Sequence, residues 1–174
     1  MIFEPAPLKD AWIIRQKPIG DDRGYFARAF CTKEFEAHGI PSRFVQVNTS
    51  FSKDVGTLRG LHWQVDPAPE PKFMRCTRGA IYDIMVDMRP DSPTYLQHFG
   101  IELTPDNQTM AYIPAYFAHG FLTLQPDSQS LYMVGGIYTP ECERGVRWDD
   151  PKLGIKLPIE PKIVSEKDRS WPLL

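Results

Sequence analysis

The sequence predicts an all-β fold, a jelly roll or a small barrel with short peripheral helices. The 174 residues include 17 prolines and 12 glycines, which interrupt helices and favour turns. Between these breaks, short runs rich in β-branched and aromatic residues recur at the spacing of antiparallel strands. A chain of this length suits one domain with a sizeable core, so we expect a single domain over residues 1–174.

Eight runs along the chain have the composition of strands. In chain order, the predicted strands are 44–51, 57–64, 73–77, 80–88, 98–103, 110–113, 120–124 and 130–138. The main breaks between them are rich in Pro, Gly, Asp and Asn and fall at 54–56, 67–71, 89–93, 105–107 and 125–127.

Two further segments complete the expected layout. Residues 32–38 predict a short helix, with Thr32 as N-cap, Phe35 as its apolar contact and Gly39 as its stop. The prolines of 158–161 set off a C-terminal segment, 158–174, which we expect to fold back over the body of the domain.

Composition argues against several classes of partner. The net charge of −2 gives no reason to expect nucleic acid or a membrane surface. No apolar run approaches the roughly 18 to 20 residues that a membrane span requires, and the first residues lack the pattern of a signal peptide. The chain has three widely spaced cysteines, Cys31, Cys76 and Cys142. An odd number at such spacing fits reduced thiols, so we expect a soluble cytoplasmic protein.

His62 is the residue that points most directly to chemistry. It stands in the sequence LRGLHWQ at 58–64, and an imidazole titrates near neutral pH, where it can remove a proton. The chain has four histidines, and no HxH, HExxH or CxxC spacing accompanies this one. Those spacings are typical of metal sites, so the pattern favours acid–base chemistry over zinc or iron.

Alternation along the strand at 44–51 places Gln46, Asn48 and Ser50 on one face. Such a row occurs on an ordinary surface strand, and it also suits the lining of a polar ligand cavity. In the strand at 57–64, Arg59 and His62 have opposite parity. These two residues share a cavity only if Gly60 introduces a bulge or a bend.

Tyr132 and Tyr138 share a face of the strand at 130–138. In a regular strand they would lie about 20 Å apart. We expect the Gly135-Gly136 pair to interrupt the strand and bring Tyr138 closer to a common site. Both tyrosines are equally compatible with the role of plain core aromatics.

A second histidine and a late carboxylate are further candidates. His119 follows a turn that begins at Pro114, where it is either a hydrogen-bonded structural imidazole or a residue that lines a pocket. Asp168 lies in the charged run Ser-Glu-Lys-Asp at 165–168, which is either a solvated tail or a lid that carries Asp168 to the site.

Several motifs, taken together and in order, resemble those of the dTDP-4-dehydrorhamnose 3,5-epimerase family. The similarity runs from about Arg23 to Asp168. This resemblance implies a cupin-type jelly roll (a double-stranded β-helix), a homodimer that exchanges N-terminal strands, a nucleotide-diphosphate sugar as substrate, and neither metal nor other cofactor. The motifs are DRGYF at 22–26, LRGLHWQ at 58–64, Lys72, Gly79 with 83–89 and SPT at 92–94, IPAYFAHGF at 113–121, Tyr132, RWDDP at 147–151 and SEKD at 165–168.

The resemblance also implies roles for individual residues in the epimerisation of a 4-keto-6-deoxy sugar at C3, C5 or both. His62 would be the base, Asp168 its orienting partner and Tyr132 the acid. Lys72 would lie near the oxyanion at O4. Arg59 and Arg23 would hold the diphosphate, Tyr138 would stack on the base, and the other binding positions are Phe26, Gln46, Asn48, His119, Glu143 and Lys167.

The chain departs from the family pattern around the substrate rim. Arg28 stands where an acidic residue is usual, and Val47 replaces the acidic residue between Gln46 and Asn48. The segments 133–137 and 65–71 are also atypical, the latter in its prolines. The chemistry is therefore better supported than the substrate. Another sugar, another base, or inversion at C3 or C5 alone remain alternatives.

Two other function classes compete with an epimerase. A metal-dependent cupin needs an HxH pair, yet Gln64 stands two residues after His62, which argues against that class. A non-catalytic sugar-nucleotide binder would need no base and acid. This chain has all four of the residues that the resemblance implies for catalysis, which argues against a binder; they are His62, Lys72, Tyr132 and Asp168.

Overall fold

The computed structural model describes residues 1–174 and confirms the all-β prediction. Its helices are short, α1 (Thr32–Ala37) and α2 (Glu166–Arg169). Its strands are β1 (Ile2–Pro5), β2 (Trp12–Arg15), β3 (Ile19–Asp21), β4 (Gly24–Phe26), β5 (Gln46–Ser52), β6 (Thr57–Gln64), β7 (Lys72–Arg78), β8 (Ile81–Asp87), β9 (His98–Leu103), β10 (Thr109–Ile113), β11 (Phe117–Thr123), β12 (Ser128–Val134), β13 (Glu143–Gly145) and β14 (Ile163–Val164).

Two sheets form the body of the molecule. The first has the order β1-β2-β10-β7-β12-β5, and the second has the order β13-β6-β11-β8-β9, with β14 parallel to β6. The hairpin of β3 and β4 belongs to neither sheet. β5 therefore lies at one edge of the first sheet, next to β12.

The main core lies between the sheets. Met74 of the first sheet and Ile81, Met85 and Phe117 of the second are buried in one cluster. Every residue of β10 and β11 is buried, because both faces of these central strands are covered. Such continuous apolar runs are expected of strands buried on both sides.

Outer layers cover the two sheets. On the first sheet, Phe35 of α1 is fully buried against Phe73, with ring centroids 5.0 Å apart, and against Tyr112. On the second sheet, Val146 and Leu153 pack over Leu61 and the middle strands. The sheets and their outer layers thus enclose the hydrophobic core within one chain. They also leave a polar cavity that strands of both sheets line.

The predicted helix is present, but its predicted cap is wrong. Cys31 occupies the N-cap position and makes no side-chain cap hydrogen bond, and Thr32 is the first helical residue. Gly39 ends the helix as expected, with φ of +70°. The apolar contact predicted for Phe35 is also confirmed.

Each of the eight predicted strands overlaps an observed strand, although the last one ends early. β12 stops at Val134, and the N–H of Gly135 donates to the carbonyl of Pro71. A Cβ at Gly136 would lie 2.6 Å from the carbonyl oxygen of Pro69. The glycine pair therefore interrupts the strand, as expected, because the proline-rich loop passes directly against it.

The C-terminal segment lies on the second sheet through specific contacts. β14 pairs with β6, and α2 follows immediately. Trp171 packs on Gly145, where a Cβ would overlap the indole ring. All three cysteines are free, and neither helix has the length and hydropathy of a membrane span.

Candidate active site

Two adjoining cavities are lined by strands of both sheets. Their volumes are about 510 Å³ and about 340 Å³, and His62, Lys72 and Tyr132 line both of them. A larger cavity of about 750 Å³ lies elsewhere, between the N-terminal loop and the turn at Pro114–Tyr116, and contains none of the predicted site residues. Three of the four predicted catalytic residues therefore meet where the two smaller cavities join.

The fourth, Asp168, forms a dyad with His62. Nε2 of His62 lies 2.5 Å from Oδ1 of Asp168, and the N–H of Gly60 donates to Oδ2 at 3.3 Å. Asp168 is buried, and Ser165 caps its helix by accepting the Asp168 N–H at 3.1 Å. The run at 165–168 is thus the segment that carries Asp168 to the site and not a solvated tail.

The dyad keeps Asp168 charged. Burial alone would raise the pKa of this carboxyl, but the hydrogen bond and charge of His62 outweigh burial, with help from Ser165 and Gly60. The net result is a pKa below the ordinary value for Asp. An ionised carboxylate at this position can orient the imidazole and stabilise its protonated form.

A bulge at Gly60 brings Arg59 and His62 to the same cavity. The register between β6 and β11 shifts between His119 and Phe121, and Gly60 has φ of +106°. A Cβ at Gly60 would lie 2.6 Å from the carbonyl oxygen of His119, so only glycine fits. The bulge required by the sequence argument is therefore confirmed, and both side chains line the 510 Å³ cavity.

Tyr132 faces the cavities from the opposite sheet. It pairs with Asn48 of β5 and Met74 of β7. Burial raises the pKa of its phenol, the Glu70 carboxylate raises it further, and the Arg59 guanidinium opposes both. Tyr132 therefore holds its proton at neutral pH, as an acid must.

The polar row of β5 lines the cavities. Gln46 and Asn48 border the 340 Å³ cavity, and Ser50 borders the 510 Å³ cavity. This placement favours the lining of a ligand cavity over a plain surface strand. Val47 points away from this face and is 61% exposed.

Lys72 is nearly buried beside a carboxylate that the sequence argument missed. Its Nζ lies 3.0 Å from Oε2 of Glu70 and 3.4 Å from the carbonyl oxygen of His62. Glu70 has the same parity as Lys72 along the chain, and that spacing was the available signal. The prolines of 65–71 predict a loop, and side-chain parity is not expected to hold in a loop.

His119 lies in β11 and combines both roles considered for it. Nε2 lies 2.8 Å from Oδ1 of the fully buried Asp83, so the imidazole is structurally anchored. The same side chain borders the 510 Å³ cavity.

A charged cluster borders the far end of the cavities. Tyr138 donates to Oε2 of Glu143 at 3.2 Å, and Nζ of Lys167 donates to the same oxygen at 2.5 Å. The hydrogen bond to Glu143 raises the pKa of Lys167. Tyr138 is 53% exposed, so it is not a core aromatic, and its ring is accessible.

Comparison with known proteins assigns the chain to a family. The model for dTDP-4-dehydrorhamnose 3,5-epimerase matches residues 5–174. The chain belongs to the dTDP-4-dehydrorhamnose 3,5-epimerase family. The prediction of an epimerase, an enzyme of the isomerase class, is confirmed, and so is the cupin-type jelly roll.

Individual members of the epimerase family are similar over their whole length. The dTDP-4-dehydrorhamnose 3,5-epimerase of Sinorhizobium fredii is 42% identical over 100% of this chain and 90% of that protein. The Bacillus anthracis enzyme, crystallised with TDP and PPi, has a TM-score of 0.95 at 40% identity over 99% of each chain. The Legionella pneumophila enzyme, in complex with dTDP-4-keto-L-rhamnose, has a TM-score of 0.92 at 36% identity over 99% of this chain and 92% of that one.

Two of the predicted binding residues lie away from the two site cavities. Arg23 and Phe26 belong to the β3–β4 hairpin, and neither lines the site of its own chain. The Arg23 side chain is 89% exposed and binds Asp21 through Nε at 3.1 Å and Nη2 at 2.6 Å. Phe26 is 67% exposed. One chain thus assembles every predicted site residue except these two.

The epimerase chain offers no clustered metal ligands. No group of three His, Cys, Asp or Glu side chains is placed to hold a metal ion. The absence of a metal requirement stays a prediction of the family resemblance.

Proposed function

We propose that this epimerase inverts C3 and C5 of a dTDP-linked 4-keto-6-deoxy sugar. The observation that carries the proposal is the placement of His62 on one sheet, with Asp168 of α2 against it, and of Tyr132 on the other sheet, around cavities that His62 and Tyr132 share. A base and an acid on different walls can act on opposite faces of one sugar ring. Inversion of a carbon requires that the proton return to the face opposite the one that it left.

His62 starts the reaction as a neutral base. A C–H bond α to the C4 ketone is weakly acidic, and Nδ1 of the imidazole, the nitrogen that Asp168 does not engage, accepts its proton while the electron pair moves to O4. Asp168 stabilises the imidazolium that forms. Lys72 stabilises the negative charge on O4, where a fixed cation in a nearly buried site is most effective.

Tyr132 completes the inversion. Its phenol donates a proton to the carbon from the opposite face, the enolate electrons form the new C–H bond, and the ketone is restored. The resulting phenolate and imidazolium then exchange protons with solvent. The same pair acts a second time at the other carbon α to the ketone.

The remaining residues bind the substrate in this proposal. Arg59 holds the diphosphate with its forked guanidinium, which already donates to Ser52 and the carbonyl of Phe51. Tyr138 offers an accessible ring for stacking on the base. The groups proposed to contact the sugar and the nucleotide rim are Gln46, Asn48, His119, Glu143 and Lys167.

We further propose a cytoplasmic homodimer in which the β3–β4 hairpin reaches the partner's site. Arg23 and Phe26 line neither of the two site cavities of their own chain, and the outward face of β5 is apolar and exposed at Val47 and Phe51. Ile19 of the hairpin is 71% exposed. Exposed apolar groups of this kind mark interaction surfaces, and a twofold dimer would bury them on both chains.

Deuterium exchange tests the reaction. The protein is incubated with dTDP-4-keto-6-deoxyglucose in D₂O, and the sugar is followed by NMR. We expect deuterium and inversion at both C3 and C5. Deuterium at one carbon alone would indicate a single-centre epimerase. Tight binding of dTDP-sugar without any exchange would support the non-catalytic binder.

Subunit complementation tests the exchanged hairpin. Arg23→Ala and His62→Ala are each expected to be weakly active or inactive alone. A mixed dimer contains one site with an intact His62 and an intact partner hairpin. Co-refolding equal amounts should therefore restore about a quarter of the wild-type activity. No recovery, with mixed dimers verified by native mass spectrometry, would mean that Arg23 does not serve the partner's site.

A further inference from the structure

Glu70 places an additional carboxylate inside the proposed site. It lies in the loop between β6 and β7 and borders the 340 Å³ cavity together with His62, Lys72 and Tyr132. Only 12% of its side chain is exposed. A carboxylate is seldom this secluded without a specific partner, because burial strongly disfavours an unpaired charge.

Lys72 is that partner, and the pairing fixes its ammonium group. Oε2 of Glu70 lies 3.0 Å from Nζ, and the carbonyl oxygen of His62 lies 3.4 Å from the same atom. An ammonium has three N–H donors. One donates to the carbonyl of His62, and the ion pair with Glu70 holds the ammonium from another side, beside the cavity that Lys72 lines.

Glu70 also acts on Tyr132. After burial, its negative charge is the main cause that raises the pKa of the phenol, and Arg59 opposes it. The strand paired with the other side of β12 contributes only uncharged side chains beside Tyr132, among them Asn48. The other titratable or charged groups around the two cavities are Arg59 and His62 of β6, Lys72 of β7, His119 of β11, Tyr138 and Glu143 at the rim, and Lys167 and Asp168 of α2.

We propose that Glu70 is a positioning residue of this epimerase, which holds the Lys72 ammonium against the reacting oxygen and keeps the Tyr132 phenol in its proton-donating form. The inference deepens the proposed function and rests on it. Glu70 exchanges no proton with the sugar in this role. It acts through Lys72 and Tyr132.

Two substitutions separate the two effects. Glu70→Gln removes the charge but keeps a side-chain oxygen within reach of Lys72, so kcat at neutral pH should stay within about threefold of wild type. Glu70→Ala removes the acceptor as well, and a misplaced ammonium should lower kcat about tenfold with KM changed less than about twofold. Asp66→Asn is the matched control, because Asp66 lies in the same loop and contacts Tyr116 outside the two cavities.

The pH dependence supplies a readout that a merely structural role would not change. The fall of kcat on the alkaline side of its pH profile should move to lower pH in both Glu70 variants, because the Glu70 charge that raises the pKa of Tyr132 is gone. It should stay in place in Asp66→Asn. Glu70→Ala with wild-type kcat, or a limb that does not move in Glu70→Gln, would overturn the proposal.

Direct titration gives a measurement that needs no turnover. Ultraviolet absorbance of tyrosinate is recorded against pH for each protein and for its Tyr132→Phe counterpart, and the difference isolates Tyr132. Its titration should begin at lower pH in Glu70→Gln than in wild type. An unchanged titration would overturn the electrostatic part even if Glu70→Ala were unstable. Lack of turnover by the wild-type protein would instead refute the proposed function, so the two failures are distinguishable.

Discussion

The interior cavities and the β3–β4 hairpin differ in how they hold their functional residues. In the interior, His62 and Asp168 are 106 residues apart in sequence and contact each other directly in the folded chain. On the hairpin, Arg23 contacts only Asp21, two residues away, and remains almost fully exposed. The proposed acid–base set is therefore complete within one chain, whereas part of the proposed substrate-binding set is not.

This difference separates chemistry from nucleotide binding. The dyad is anchored by Gly60, Ser165 and strand pairing, so its geometry depends on the fold itself. The exposed pair of Arg23 and Asp21 contributes little to stability, because water and salt screen it. Arg23 can consequently be drawn to a phosphate at little cost to the fold. The following experiments test whether the two regions act as separately as their structures indicate.

The largest effect is expected from loss of the interior base. His62→Ala should fold and still form dimers, while exchange at both carbons falls by about 10²- to 10⁴-fold, because water is a poor base toward an α-carbon proton. NMR in D₂O measures the exchange. His98→Ala, which alters an exposed histidine at the start of β9, is the control. Near-normal exchange without His62 would remove it from the mechanism.

The second prediction separates the acid from the base within the interior. Tyr132→Phe should let His62 exchange deuterium into the substrate with retained configuration, while inversion falls by about 10²-fold or more. Product configuration and deuterium content are measured together by NMR. Tyr95→Phe alters an exposed tyrosine and serves as the control. If Tyr132→Phe inverts the sugar at the full rate, another group is the acid.

The third prediction concerns a monomer, in which the site would lack the partner's β3–β4 hairpin. Phe51→Asp introduces a charge on the exposed apolar face of β5 and should yield monomers. The dyad lies within each chain, so the loss should appear mainly as a KM raised about tenfold. Sedimentation velocity and steady-state kinetics measure the two effects. Leu173→Asp charges another exposed apolar site as the control, and a dimeric Phe51→Asp would show that this face is not the interface.

The smallest effect concerns the choice of nucleotide. Thymine presents an N3–H donor, and Arg28 has no acceptor to offer it. Arg28 binds Glu34 through Nη1 at 3.3 Å and lies just beyond the hairpin. We therefore expect less than a 100-fold preference for dTDP over UDP, CDP or GDP in competition binding. Arg28→Glu should increase the preference. A 100-fold preference in the wild type, about 2.7 kcal/mol, would show that the departures leave base recognition intact.

Sequence reasoning succeeded where side-chain alternation or a compelling steric constraint decides the structure. The parity of β5 placed Gln46 and Asn48 on the cavity side, and the opposite parity of Arg59 and His62 required a bulge that Gly60 provides. It failed where a strand is very short or where a contact joins residues of different elements. β3 and β4 have three residues each, too few for a periodic pattern.

Local propensity also misled in one place and said too little in another. Thr32 has the side chain of a cap, yet the backbone places Cys31 at that position. Glu70 lies among prolines in a loop, and only the fold of that loop against β7 reveals its pairing with Lys72. Contacts of this kind depend on tertiary structure, which a single sequence pattern does not encode.

The position of Asp168 gives the enzyme an order of assembly during its synthesis. His62 and all the strands that frame the cavities leave the ribosome first, and the 106 residues that separate the dyad partners take roughly 5 to 20 s to add. Until then the base has no carboxylate beside it. The proposed acid–base pair is therefore complete only once the C-terminal segment has docked, with Trp171 packed on Gly145.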